Sequence, residues 1–395
     1  MKIEEEATTP VSAEPGDQET SRSETAIAQA AEAGSPVSTI HSTSFPALLR
    51  QLGISLAVST YQAGKLLLLR PDGDVINVLC RDFDSPMGLA QQHGALVIGT
   101  RHHVWEYVNH ADVVPTLNPS GRHDACFLPR KALVTGNIQI HEMAWADAPL
   151  SPCGRGVGGE GELWIVNTRF SCLCTLDGLH SFVPRWRPPF ITALAAEDRC
   201  HLNGLGVRDG AVRWVTCLGQ TDTPAGWRAN KANGGCLLEV PSGKVLAEGL
   251  SMPHSPRWYQ DRLWLLESGC GSLSCVDESS GRRQAITQLP GFTRGLDFHS
   301  GVAFIGLSQV RESAVFSGLP ITQRTQERHC GVWAVDVASG QTLAFLQFQS
   351  GVQEIFAVQV LPGTCFPELT SDDPGLIGNS FLVPVSSVGD NGCPR

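Results

Sequence analysis

Three histidines, His141, His201 and His254, each stand at the opening of a short run of small and branched residues, and each has polar company. Glu142 follows His141, Asn203 follows His201 by two positions, and Arg294 and Glu354 open two more runs of the same kind, with Met87 as the apolar member of the set. Three neutral imidazoles around an open coordination position suit zinc or another first-row divalent metal, which lowers the pKa of bound water towards neutrality. Glu142 or Glu354 would then serve as general base, and Arg294 would grip an anionic part of the substrate. Oxygen donors from Glu142, Asn167, Asn203 and Glu354 would instead favour calcium, the weaker of the two metal readings here. A third reading needs no metal: imidazoles, carboxylates and Arg294 form a charged hydrogen-bond network that binds an anionic or polar ligand. The chain contains no HExxH or paired CxxC motif, so all three readings depend on the fold bringing distant residues together.

The elements that must do this repeat along the chain. His201 to Val207, a turn at Asp209-Gly210 and Ala211 to Thr216 read as a hairpin of an inner and a second strand. Copies begin near Pro86, Ile140, His254 and Thr293, and a last start at Gln353 has no second strand after it. Starts about 40 to 60 residues apart fit propeller blades. Three strands from Leu56 to Leu79 lack an inner partner, and the orphan near 354–360 supplies it. The expected fold is therefore all-β, a six-bladed β-propeller of four-stranded blades, closed when the C-terminal inner strand joins three N-terminal strands. All six inner strands then open into one funnel. Second strands end on the same face and add Tyr61, Arg101, Asn167, Arg169 and Glu267 as ligand-binding candidates. Long connections at about 109–139, 182–200, 217–235 and 309–330 lie on that face too, and they carry Trp186, Trp227, Arg228, Arg311, Arg324 and Arg328.

The flanks read differently. Residues 1–37 are acidic, rich in Ala, Ser and Thr and without an aromatic residue, so they cannot offset their ordering entropy and are expected to be disordered. Residues 38–53 are expected to form a short helix that plugs one end of the barrel, with Phe45, Leu48, Leu49 and Leu52 on one face. The propeller spans 38–366, followed by a loosely ordered tail at 367–395. A net charge of -10 without a basic cluster argues against nucleic acid and anionic membranes as partners. No apolar run has the length of a membrane span, and the amino terminus has no signal-peptide pattern, which points to the cytoplasm. Thirteen scattered cysteines read as reduced thiols packed as small hydrophobes. The glycine-rich stretch 154–159 lacks the Lys-Ser/Thr ending of a phosphate loop.

Seven strings carry a resemblance: STYQAGKLLLL, NIQIHEMAW, LWIVNTRFSCL, HLNGLGV, PHSPRW, GFTRGLDF and EIFAVQVLPG. Together, over roughly residues 45–363, they resemble a bacterial family of conserved proteins classed as a domain of unknown function. The resemblance implies a propeller-like fold and no assigned reaction. More narrowly, Leu202-Asn203-Gly204-Leu205 is similar to the strand start of gluconolactonase-like and paraoxonase-like six-bladed propellers, which implies calcium at Asn203, whereas the three histidines depart from that oxygen-rich pattern. Two functions follow as expectations. One is a polar funnel that binds a small polar or anionic molecule, as a metal-assisted hydrolase, lyase or isomerase. The other is a non-catalytic propeller that holds a peptide or protein partner on its long loops.

Overall fold

Alternating apolar residues on short strands, punctuated by tight turns, bury both faces of each sheet only when sheets stack side by side around an axis. The computed structural model, which describes residues 37–147, 161–309, 318–370 and 373–383, does this with six blades of four antiparallel strands. The inner strands are Ala357–Pro362 in blade 1, Leu89–Gln92 in blade 2 and Ile140–Ala146 in blade 3. Leu202–Arg208, Pro253–Tyr259 and Phe292–His299 are those of blades 4, 5 and 6. Blade 1 is completed as the sequence requires: Ala357–Pro362 pairs antiparallel with Ile54–Thr60, in register Val58 to Val358 and Ile54 to Pro362. Lys65–Asp72 and Val75–Asp82 continue that sheet outwards.

The core lies between blades. Leu56, Val58, Leu67 and Leu69 of blade 1 meet Phe304, Val332, Ala334 and Leu346 of blade 6 in one cluster. Trp214 of blade 4 stacks on Trp258 of blade 5 with centroids 5.6 Å apart, so these tryptophans pack blade against blade. All eleven cysteines among the described residues are free thiols. Burial pushes the Cys172 thiol up to about 12 and that of Cys126 up to about 11.

Each flank adds a strand to the propeller. Residues 38–41 form a strand, not the start of a helix, and extend blade 6 outwards against Thr342–Ser350. The helix runs from Ser44 to Leu52 and ends at Gly53 in the left-handed conformation. Phe45 and Leu49 are fully buried in the seam between the first and last blades, each at a gain of about 1.5–3 kcal/mol. The helix therefore wedges the closing seam rather than plugging the barrel end. The stretch expected to begin a loose tail holds a strand as well. Pro367–Leu369 pairs parallel with the outer strand Ala125–Val134 of blade 2. Glu368 fixes it through Arg81, at 2.6 Å, and Arg70, at 3.7 Å. Two presumed long connections also contain outer strands, Ala125–Val134 and Val183–Trp186. The glycine-rich stretch 154–159 and Arg311 lie outside the described residues.

Candidate functional site at the mouth of the propeller axis

The cross-strand pairs set the blades in a common register. Ala90, Ala144, Gly206, Arg257, Asp297 and Gln359 face Val97, Trp164, Trp214, Trp264, Phe304 and Ala57 respectively. Counting back three residues gives one axial ring: Met87, His141, Asn203, His254, Arg294 and Phe356. Two further back lies the rim: Ser85, Gln139, His201, Met252, Phe292 and Glu354. His201 is thus not equivalent to His141 and His254; Asn203 takes that place in blade 4. Four rim residues, Ser85, Gln139, His201 and Met252, have φ near +50° and turn the chain sharply into the inner strand.

A second device doubles the polar content of the ring. In blades 3 to 6 the inner strand carries one residue more than its partner at or beside the ring position, as between His254 and Arg257 opposite Leu266 and Trp264. Such a bulge re-aims side chains, so consecutive residues face the axis. Glu142 therefore lines the same cavity as His141, and Ser255 the same cavity as His254. Close approach demands small residues between these bulges. A Cβ on Gly204 would lie 2.9 Å from the Ser255 nitrogen, and one on Gly295 2.9 Å from the Ala357 Cα. Glycines of blades 2, 4 and 6 thus alternate with larger residues of blades 3, 5 and 1.

The axial cavity is lined by His141, Glu142, Asn203, His254, Arg257 and Arg294 among others and has a volume of about 10 Å³, close to the room one water needs. Its floor is tied across three blades. Glu142 accepts from Leu205 N at 3.0 Å and from Arg257 Nη2, while Arg257 Nη1 donates to the Leu205 carbonyl at 3.1 Å. Burial pushes the Glu142 carboxyl up, and the Arg257 charge opposes that shift. Asp297, also pushed up by burial, accepts from Val360 N at 2.8 Å and so joins blade 6 to blade 1.

Above the floor, aromatic and cationic side chains form an arc. Trp227 packs on His201 at 4.3 Å, His201 meets His141 edge to face at 4.7 Å, and His141 meets Phe356 at 5.0 Å. The Arg294 guanidinium lies over Phe356 at 3.5 Å and is 3.7 Å from Glu354. Tyr61 extends the arc from Phe356 at 6.1 Å, with Arg101 over its ring at 5.9 Å. Trp227 belongs to a cap, separate from the blade cores, in which Leu218, Met252, Phe292, Leu319 and Ile321 pack together.

The structure thus gathers His141, Glu142, Asn203, His254 and Arg294 in one cavity and places His201, Glu354, Tyr61 and Arg101 around it. It does not bring in three others. Asn167 is fully buried and caps its own turn by accepting from Phe170 N at 3.0 Å. Arg169 donates to the Asn137 carbonyl at 3.3 Å, and Glu267 is held by Ser251 N and Arg283, both at 3.2 Å. Nor are the three histidines assembled as metal ligands. Among the described residues no group of three or more His, Cys, Asp or Glu side chains could hold a metal ion. The register sets them apart: His141 and His254 stand in the ring, whereas His201 stands two residues earlier at the rim, its Nδ1 2.9 Å from Asp198 and its ring against Trp227. Asn203 donates its amide to the Pro253 carbonyl at 3.0 Å and accepts from Thr216 Oγ1 at 2.7 Å. Sequence reasoning missed Arg257, Asp198, Thr168 and Phe356. Arg257 stands within PHSPRW, but simple alternation from His254 turns it away from the axis, and only the bulge returns it.

A family model described as domain of unknown function (DUF4915) matches residues 43–370. The chain belongs to this family. No curated protein matches it. Among solved structures, the DUF4915 chain is similar to one from a nidogen/laminin complex, with 12% identity over 79% of this chain and 100% of that one at a TM-score of 0.47. A protein of unknown function from Bacteroides caccae is 10% identical, covers 78% of this chain and 98% of its own, and also scores 0.47. A streptogramin B lyase is 10% identical over 66% and 67% of the two chains, at 0.36. No helix among the described residues of this DUF4915 protein is long and apolar enough to cross a membrane.

Proposed function

We propose that this protein binds a small anionic molecule at the mouth of the propeller axis and acts on it by proton transfer. The observation that carries the reading is the axial ring, where His141, Asn203, His254 and Arg294 converge from four blades on one cavity. Convergent polar groups in a concavity are the usual mark of a binding site. Arg294 supplies the anion contact: stacking on Phe356 orients the planar guanidinium, whose edge matches a carboxylate or phosphate fork. Because the cavity itself has room for about one water, one oxygen of the ligand's anionic group enters it beside Arg294, His141 and Phe356. The tightly tied floor favours a second reading, a non-catalytic scaffold whose axial charges only join blades.

Thermal unfolding with inorganic phosphate, lactate, malate and citrate separates the two. A ligand at a hundred times its Kd stabilises the native state by about 2.7 kcal/mol. At least one anion should raise the Tm of the native chain and lose that effect in Arg294→Met. Equal response of both chains to every anion would leave the scaffold.

A further inference from the structure

The proton-transfer group of this mouth can be named from hydrogen-bond donors alone. His201 Nδ1 lies 2.9 and 3.0 Å from the two Asp198 oxygens, and Asp198 also accepts from Trp227 Nε1 at 3.0 Å. A carboxylate offers only acceptors, so His201 carries its proton on Nδ1. His141 is set the same way by a relay. The Thr168 hydroxyl has one hydrogen and donates it to the Leu202 carbonyl at 2.5 Å, so towards His141 Nδ1, at 2.8 Å, it can only accept. The Gln139 carbonyl, 3.3 Å from the same nitrogen, is a second acceptor. Each ring, when neutral, therefore carries its lone pair on Nε2. They stand edge to face at 4.7 Å, and His201 keeps 11% of its side chain exposed at the mouth.

We propose that His201 is the catalytic base of this site, with Asp198 as its positioning residue and His141 as the neighbouring acceptor. The inference rests on the anion-binding reading above and names the reaction class: removal of a proton from a hydroxyl, or from a carbon next to a carbonyl, of a small anionic molecule held by Arg294. The X–H bond breaks and its electron pair stays on X. The proton forms the Nε2–H bond of His201, and the imidazolium charge faces Asp198. Trp227 holds the ring on one side and the carboxylate on the other, which fixes the direction of the lone pair.

Long-range proton–nitrogen correlation spectra of the full chain labelled with 15N-histidine test this without a known substrate, at a pH where both rings are neutral. His201 and His141 are expected as Nδ1–H tautomers, the minor form of free imidazole side chains. Asp198→Ala should turn His201 to Nε2–H and leave His141 unchanged, whereas Asp198→Asn, whose amide oxygen still accepts, should retain Nδ1–H. Nε2–H at His201 in the native chain overturns the proposal, and that spectrum needs no variant to fold. Titration with inorganic phosphate then reads proximity: His201 resonances should move with the midpoint of the heat of binding. Measured binding without movement at His201 overturns its place beside the ligand. Nδ1–H on both rings with no binding of phosphate or of the carboxylates supports the dyad and sinks the anion reading instead.

Discussion

Glu142 and Arg257 show why single residues at the axis carry more weight than their number suggests. A buried carboxylate and a guanidinium form a strong contact only while both are present; removal of one leaves the other charged in a poor solvent at a cost of about 3–5 kcal/mol. Because Arg257 keeps 26% of its side chain exposed, the lower end applies, and Glu142→Gln should lose about 3 kcal/mol in urea unfolding. The double change Glu142→Leu with Arg257→Met should recover most of that loss. Equal losses in the single and double variants would show that Glu142 acts through packing alone. At this scale the sequence was legible in part: polar residues at strand openings marked His141, His254 and Arg294, which the fold brings to one cavity. Asp198, three residues before His201, left no signal beyond its proximity, because pairing over so short a span depends on a φ of +47° at Asp198 itself.

Strands and turns were legible almost throughout, since period-two alternation and glycine-bearing turns depend on local chemistry that six blades repeat. Bulges were not, because an extra residue leaves no mark in composition and yet moves every side chain beyond it to the other face. The missed Arg257 is one result. Turn chemistry also sets an acid limit. Asp277 is lowered to about 2 by the Ser279 and Ser280 hydroxyls and the Ser280 N–H, and Asp336 is lowered by the N–H of Ser339 and its neighbours. A carboxyl held below its unfolded value of about 3.9 stabilises the fold fully above that pH, and the contribution fades as pH falls through the folded value. Urea midpoints measured between pH 5 and 2 should therefore drop on the acid side and drop less steeply in Asp277→Asn with Asp336→Asn. An unchanged slope would assign acid sensitivity to other groups.

The propeller is a ring held at one seam by residues from both of its ends, with the Ser44–Leu52 helix wedged beside it. A chain stopped at Phe356 lacks the inner strand of blade 1 and exposes an unpaired edge along Ile54–Thr60. It should lose cooperative unfolding and run as aggregate in size exclusion, whereas a chain stopped at 370 should unfold as the full one does. Cooperative melting of the shorter chain would show that five complete blades hold together without closure. The same seam sets a schedule for synthesis. Ile54 pairs with Pro362, and at about 5–20 residues per second the ribosome takes on the order of 15–60 s to make what lies between them. For that interval the first blade and its apolar helix wait without their partner, so in the cell the chance of aggregation is set by how fast the last strand arrives as much as by how stable the finished ring is.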